Sequence, residues 1–172
     1  ILSYATEITK NTPEKDDFFL ITPIHISMGE IAYGISAGHG ELHLTIRSWD
    51  LKLMDEKCDD LIGKIRKVCE KYGISYTNTW TQVFFANVNN VNAIKIIKDA
   101  AKNKDHDQQT LNVPFKWGED FGLFTQKYCG AMFGLGAGEN TPALHNPDYD
   151  FPDEITKTGI DQFMQIIKEI YN

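Results

Sequence analysis

WGEDFGLFTQKYCGAMFGLGAGENTPALHNPDYDFPDE, from Trp117 to Glu154, holds more chemically capable side chains than any other stretch of the chain. It reads as a short helix over 119–127 opened by two acids, Glu119 and Asp120, and then a glycine-flanked apolar strand, Gly130 to Gly136. A polar loop with a single histidine, His145, comes next, and Pro152-Asp153-Glu154 opens a closing helix. A loop between a strand end and a helix start is where α/β proteins place their sites.

The closing helix, 152–171, is the clearest element in the pattern, with Ile160, Phe163, Met164, Ile167 and Ile170 on one stripe and Pro152 suited to its first turn. Upstream, 55–72 reads as a helix through Cys58, Leu61, Ile62, Ile65, Val68, Cys69 and Tyr72, with Gly73 as its stop. Period-2 alternation predicts strands over 18–29, where Ile24, Ile26 and Met28 alternate with His25 and Ser27, and over 41–48, where Leu42, Leu44 and Ile46 alternate with Glu41, His43, Thr45 and Arg47. Pro23 marks an edge or a bulge in the first of these. A third strand is expected over 74–85, a short one over 111–113, and a helix over 91–102. The chain opens Ile-Leu-Ser-Tyr-Ala-Thr-Glu-Ile, which reads as the last turns of a helix already under way, so a fragment of a longer protein is expected. Helix, strand, strand, helix, strand would be most of a βαββαβ unit. The composition turns to Asn near 86–90, which marks a boundary there.

The 172 residues are 42% hydrophobic and 12% aromatic, which suits a folded domain or two small ones. A net charge of −7 with no basic block argues against a nucleic-acid surface. No apolar run is long enough to span a bilayer. Three cysteines, Cys58, Cys69 and Cys129, form no C-x-x-C pair. An odd number without such a pair points to a reducing compartment, the cytoplasm, with Cys58 and Cys69 as packing residues of one helix stripe.

Each chemical-looking residue has a plain reading beside the functional one. His145 among Glu139, Asn140, Asn146, Asp148 and Asp150 is either a metal ligand or a solvated loop histidine. Glu119 and Asp120 complement a helix dipole as readily as they serve chemistry. Arg47, on the face of His43 and Thr45, is a solvated sheet residue unless an anionic ligand meets its planar fork. Gly34, Gly38 and Gly40 lead into a strand rather than a helix, so they are no phosphate loop.

Taken together, Gly118-Glu119-Asp120-Phe121, Gly130 to Gly136, Leu144-His145-Asn146 and Asp153-Glu154 resemble the C-terminal signature of the dinuclear-metal amidohydrolases and peptidases, the family of aminoacylases and carboxypeptidase G. Gly29-Glu30-Ile31-Ala32 with Leu44-Thr45-Ile46-Arg47-Ser48 resembles that family's lid. The resemblance implies an α/β fold in which residues 1–88 form an incomplete ferredoxin-like α+β lid and dimerisation domain. Residues 89–172 would be the C-terminal part of a zinc-peptidase-like catalytic domain, most metal ligands and the general base lying in an earlier part. It further implies hydrolysis of N-acyl amino acids or small peptides by a metal-activated water at two divalent ions, zinc first, cobalt or manganese as alternatives. His145 would be a metal ligand and Arg47 the grip on the substrate carboxylate, in a homodimer joined through the lid. Where the family has Asn-x-x-Pro, this chain reads Tyr33-Gly34-Ile35-Ser36, so Gly34 replaces an asparagine that helps to hold substrate. A non-catalytic dimerisation or binding module, or an inactive paralogue of the same fold, is the alternative reading.

Overall fold

The two alternating stretches pair as an antiparallel hairpin, β1 (Phe19–Met28) and β2 (Gly40–Ser48), in the computed structural model, which describes residues 1–171. Phe19 lies opposite Ser48 and Met28 opposite Gly40. The register slips by one residue between Pro23 and His25, so Pro23 faces Leu44 while His25 faces His43. Proline cannot donate to a ladder, and a bulge beside it absorbs the missing bond.

The chain divides into two compact units, one made of Ile1–Ala86 and Leu111–Gly118, the other of Asn87–Thr110 and Glu119–Asn172. In the first, α1 (Leu2–Ile8) packs on β1 and α2 (Leu51–Tyr72) on β2. Ala5, Phe19, Ile21 and Leu61 are buried together, with Ile1, Tyr4, Ile8, Leu44, Ile46, Leu53, Met54 and Ile65 around them. Full burial of a large apolar side chain contributes about 1.5–3 kcal/mol. Thr9 ties α1 to the sheet, its hydroxyl donating to the Ala5 carbonyl at 2.9 Å and accepting from the Ile21 amide at 3.1 Å. Phe18 is fully buried and stacks on Trp49 at 4.3 Å, and the Trp49 indole donates to the Pro13 carbonyl at 3.0 Å.

α2 begins a turn earlier than its apolar stripe announces, because the Asp50 carboxylate accepts from the Leu53 amide at 2.7 Å. That bond satisfies one of the free donors of the first turn. At the other end Gly73 takes a left-handed φ of 65°, and the Ile74 amide reaches back to the Cys69 carbonyl at 2.9 Å. Cys58 and Cys69 are half-buried on this helix.

In the second unit α3 (Val91–Asn103) packs against α5 (Ile155–Tyr171), and a short α4 (Phe121–Thr125) lies between them in the chain. Buried Gln162 of α5 donates to the Ile97 carbonyl of α3 at 2.9 Å, and its oxygen meets His106 Nδ1 at 3.2 Å. A buried amide needs both partners, and here it has them. Asn90 caps α3 by accepting from the Asn92 and Ala93 amides.

The fold is thus mixed α/β with a small antiparallel sheet, and α1-β1-β2-α2 is the middle of the expected βαββαβ order. Three expected strands, 74–85, 111–113 and 130–136, are not strands among the described residues. Thr-rich and aromatic composition favours a pleated, half-buried surface, but a strand needs a ladder partner. Ile74, Trp80 and Val83 are exposed instead. The alternation over Ile24, Ile26 and Met28 likewise buries nothing, since all three are exposed and only the Phe19–Ile21 root of β1 is covered.

Replacing Asp50 by Ala is expected to lower the stability of the first unit by about 1 kcal/mol, with Asp50→Asn close to wild type. Urea unfolding of the three proteins checks it. A pH dependence follows from α5. Asp161 is held below the ordinary carboxylate value of 3.8, chiefly by the hydrogen bond from Lys157. Glu169 is held below 4.5 by the bonds from Gln165 and Asn103. A lowered folded pKa stabilises at pH above the unfolded value, and this is lost as pH falls through the folded one. The second unit should therefore lose stability below about pH 4.5, and the Asp161→Asn/Glu169→Gln variant should lose less over that range, as read by amide exchange in α5.

Candidate functional site

The Ala143–Asn146 turn places His145. The Asn146 amide closes it on the Ala143 carbonyl at 3.0 Å, and a second turn follows, Tyr149 amide to Asn146 carbonyl, also 3.0 Å. His145 sits third in the first turn with φ 69°, a left-handed conformation few side chains adopt. Its ring is exposed. Such backbone outliers gather at functional sites, and no residue around His145 signals this one. Upstream, the Thr141 hydroxyl donates to the Ala137 carbonyl at 2.6 Å and closes the Gly138 turn. Beside these turns lies an open hollow of about 310 Å³ walled by Leu135, Pro142, Leu144, Tyr149, Phe151 and Ile155. That volume and lining suit a small apolar group. Sequence reasoning missed it because its walls come from residues spread over 135–155.

The segment before this loop is held in an unusual way. The Asn89 side chain donates to the Met132 carbonyl and accepts from the Met132 amide, both at 2.9 Å. One side-chain amide thereby supplies the pair of bonds that a neighbouring strand would have given. The Asn90 amide adds a bond to the Gly130 carbonyl at 2.9 Å.

The acids near His145 in sequence do not converge on it. Among the described residues no three His, Cys, Asp or Glu side chains are gathered as a metal site. A neutral imidazole is a good zinc donor, but a tetrahedral ion needs more than one. Glu119 and Asp120 precede α4, and the Asp120 carboxylate does not cap it. Burial first, and then Asp55 and Asp59 beside it, push the Cys58 thiol up, which disfavours its thiolate.

Arg47 lies in the first unit, on β2 opposite Leu20, exposed at the end of the strand. Its guanidinium donates to the Lys116 carbonyl, on the stretch that returns to this unit after 110. Lys116 in turn places its ammonium 5.8 Å from the centre of the Phe18 ring. Gly118 allows this return to pass close, because a Cβ there would run into the Phe84 ring. One bond leaves Arg47 four of its five N–H donors, enough for a bidentate carboxylate. The anchor at Lys116 was invisible in sequence, being 69 residues away.

Farther along the same face of β2, Glu41 stands between His39 and His43, with Nε2–Oε distances of 3.6 Å to each. His43 first, and then His39, hold its carboxyl below the ordinary range. Gly34 is in open space, and a side chain placed there would meet nothing within 4 Å of its Cβ.

The family model of "Peptidase family M20/M25/M40" matches residues 5–169. YhaA of Bacillus subtilis (strain 168), provisionally named an amidohydrolase, is 28% identical over 132 residues, 74% of this chain and 33% of YhaA. The protein sll0100 of Synechocystis sp. (strain ATCC 27184 / PCC 6803 / Kazusa), provisionally named a hydrolase, is 24% identical over 150 residues, 81% of this chain and 38% of that protein. The chain thus spans between a third and two fifths of the length of these curated relatives. No solved structure matches significantly.

Proposed function

Because the chain belongs to peptidase family M20/M25/M40, we propose that it is part of a metal-dependent amidohydrolase that cleaves the amide bond of N-acyl amino acids or small peptides. The observation that carries this reading is the span of the match, 5–169, which takes in both Arg47 and His145 in one collinear stretch. The names of YhaA and sll0100 support the reaction class. In this reading residues 1–88 act as the lid and dimerisation domain, and residues 89–172 supply the C-terminal part of the catalytic domain.

His145 would hold one of two divalent ions, zinc before cobalt or manganese, through a neutral imidazole nitrogen. When bound, the ions polarise the amide carbonyl and make a hydroxide available near neutral pH. Arg47 orients the substrate by its carboxylate, steadied by its bond to the Lys116 carbonyl. The hollow beside His145 takes an apolar group of the acyl part or side chain. Gly34 leaves the lid loop without an amide side chain at the place where the family has one, so substrate is held there by fewer bonds. Exposed Ile24, Ile26 and Met28 of β1 offer an apolar strip for a homodimer through the first unit. The three free cysteines suit the cytoplasm.

This 172-residue chain alone should hydrolyse no N-acyl amino acid with zinc, cobalt or manganese added. Measurable turnover would show that the remaining ligands are dispensable. In the intact enzyme His145→Ala should lower metal content and abolish turnover while the circular dichroism spectrum is unchanged. Unchanged metal stoichiometry and rate would remove His145 from the site. Arg47→Ala should raise KM for substrates with a free carboxylate by about 10- to 150-fold, the equivalent of about 1.5–3 kcal/mol for a charge-assisted bond. Amide-capped analogues should lose much less. Equal losses for both would make Arg47 structural.

A further inference from the structure

The register slip in β1 has a chemical result. With Pro23 opposite Leu44, an unbroken ladder would set Ile24 against His43 and His25 against Leu42. The extra residue sets His25 against His43 and Ser27 against Glu41 instead. Directly opposed residues share a face, with Cβ atoms about 5 Å apart. The His25 and His43 rings accordingly meet edge to face, centroids 5.3 Å apart at 76°. Glu41 is two positions from His43 on the same strand face, and its Oε2 is 3.6 Å from His43 Nε2. Small Ser27 is the residue across from it. Two donors at i and i+2 of one strand and a third directly across form a short triangle, within reach of a single ion bonded at about 2.0–2.2 Å.

We propose that the hairpin carries a divalent transition-metal site formed by His25, Glu41 and His43, of the zinc type, independent of the hydrolase site. Two imidazoles and a carboxylate are a borderline-soft set that suits zinc and nickel over magnesium or calcium. The donors are engaged in pairs and not gathered round one point. All three are exposed and none belongs to the buried core, so packing does not lock their side chains. His39 lies 3.6 Å from the other Glu41 oxygen, as a neighbour on its far side. Second partners of this kind orient ligands and raise affinity. The open fourth position faces solvent. An ion there joins β1 to β2 across the bulge, in the exposed half of the hairpin. The bulge is thus what turns a mixed strand face into a donor set.

Calorimetric titration of the 172-residue chain with zinc chloride, and separately nickel chloride, near neutral pH tests this. One equivalent should bind, and the thermal midpoint should rise with metal concentration. His25→Gln and His43→Gln should each weaken binding by about tenfold or more, with Glu41→Gln next and His39→Gln least. His106→Ala, which lies in the other unit, should bind as wild type. Backbone spectra will show whether the exposed-site variants stay folded, and imidazole resonances of His25 and His43 in the wild-type protein should both shift on metal addition. No binding, binding that survives both the His25 and His43 changes, or shifts confined to other histidines would overturn the proposal. The hydrolase reading fails or stands on His145 separately.

Discussion

The register of β1 on β2 is the constraint from which the first unit follows. Burial sets it at one end only. Phe19 and Ile21 are held under α1 and α2 with Ala5 and Leu61, and a slip there would turn Ile21 out to solvent. Beyond Pro23 no core enforces the pairing, and the chain uses a bulge to resume it. Arg47 lies on the enforced side, opposite Leu20, and so its position is fixed by packing. His25, Glu41 and His43 lie on the other side, where side-chain chemistry and not burial decides what the strands do. One hairpin therefore has a structural root and an exposed tip with a polar face of His25, Glu41 and His43 and apolar Ile24, Ile26 and Met28 beside it.

The second unit solves a different problem, that of holding an irregular segment. The residues 130–136 lack a neighbouring strand, and the half-buried ones, 130–133, need other partners for their backbone groups. Asn89 meets both Met132 groups with one side chain, and Asn90 serves two ends at once, capping α3 and bonding Gly130. An Asn-rich stretch that looks like a mere boundary in composition is thus a backbone clamp. Between α3 and α5 the same economy recurs in Gln162, whose amide links Ile97 to His106.

What could be read from the residues alone was local periodicity. The stripe of α2, the alternation of β1 and β2, the Gly73 stop and the proline irregularity were all legible, since each depends on neighbours within a few residues. The signature around His145 placed the chain in its family on the same terms, by residues close in sequence. What was hidden depended on distant partners. Whether 74–85 pairs as a strand turns on a ladder partner, and composition cannot report one. The Arg47 bond to Lys116 and the Phe84 ring over Gly118 join segments tens of residues apart. The positive φ of His145 was hidden for another reason. A Leu-His-Asn tripeptide does not demand it, and it goes with the third place of the closed Ala143–Asn146 turn.

That conformation bears on how the loop could work. A histidine at the third place of a closed turn has its backbone direction set although its ring is exposed. An exposed ring on an unconstrained loop would lose orientational freedom on meeting an ion, and binding would be weakened by that loss. Here the backbone part of that ordering is already made by the Asn146 amide, whose bond closes the turn. The apolar walls of the neighbouring hollow come from the same stretch, so Leu144 lines the hollow while His145, one residue on, faces solvent. Position and surroundings of the histidine are therefore a single property of the 135–155 loop.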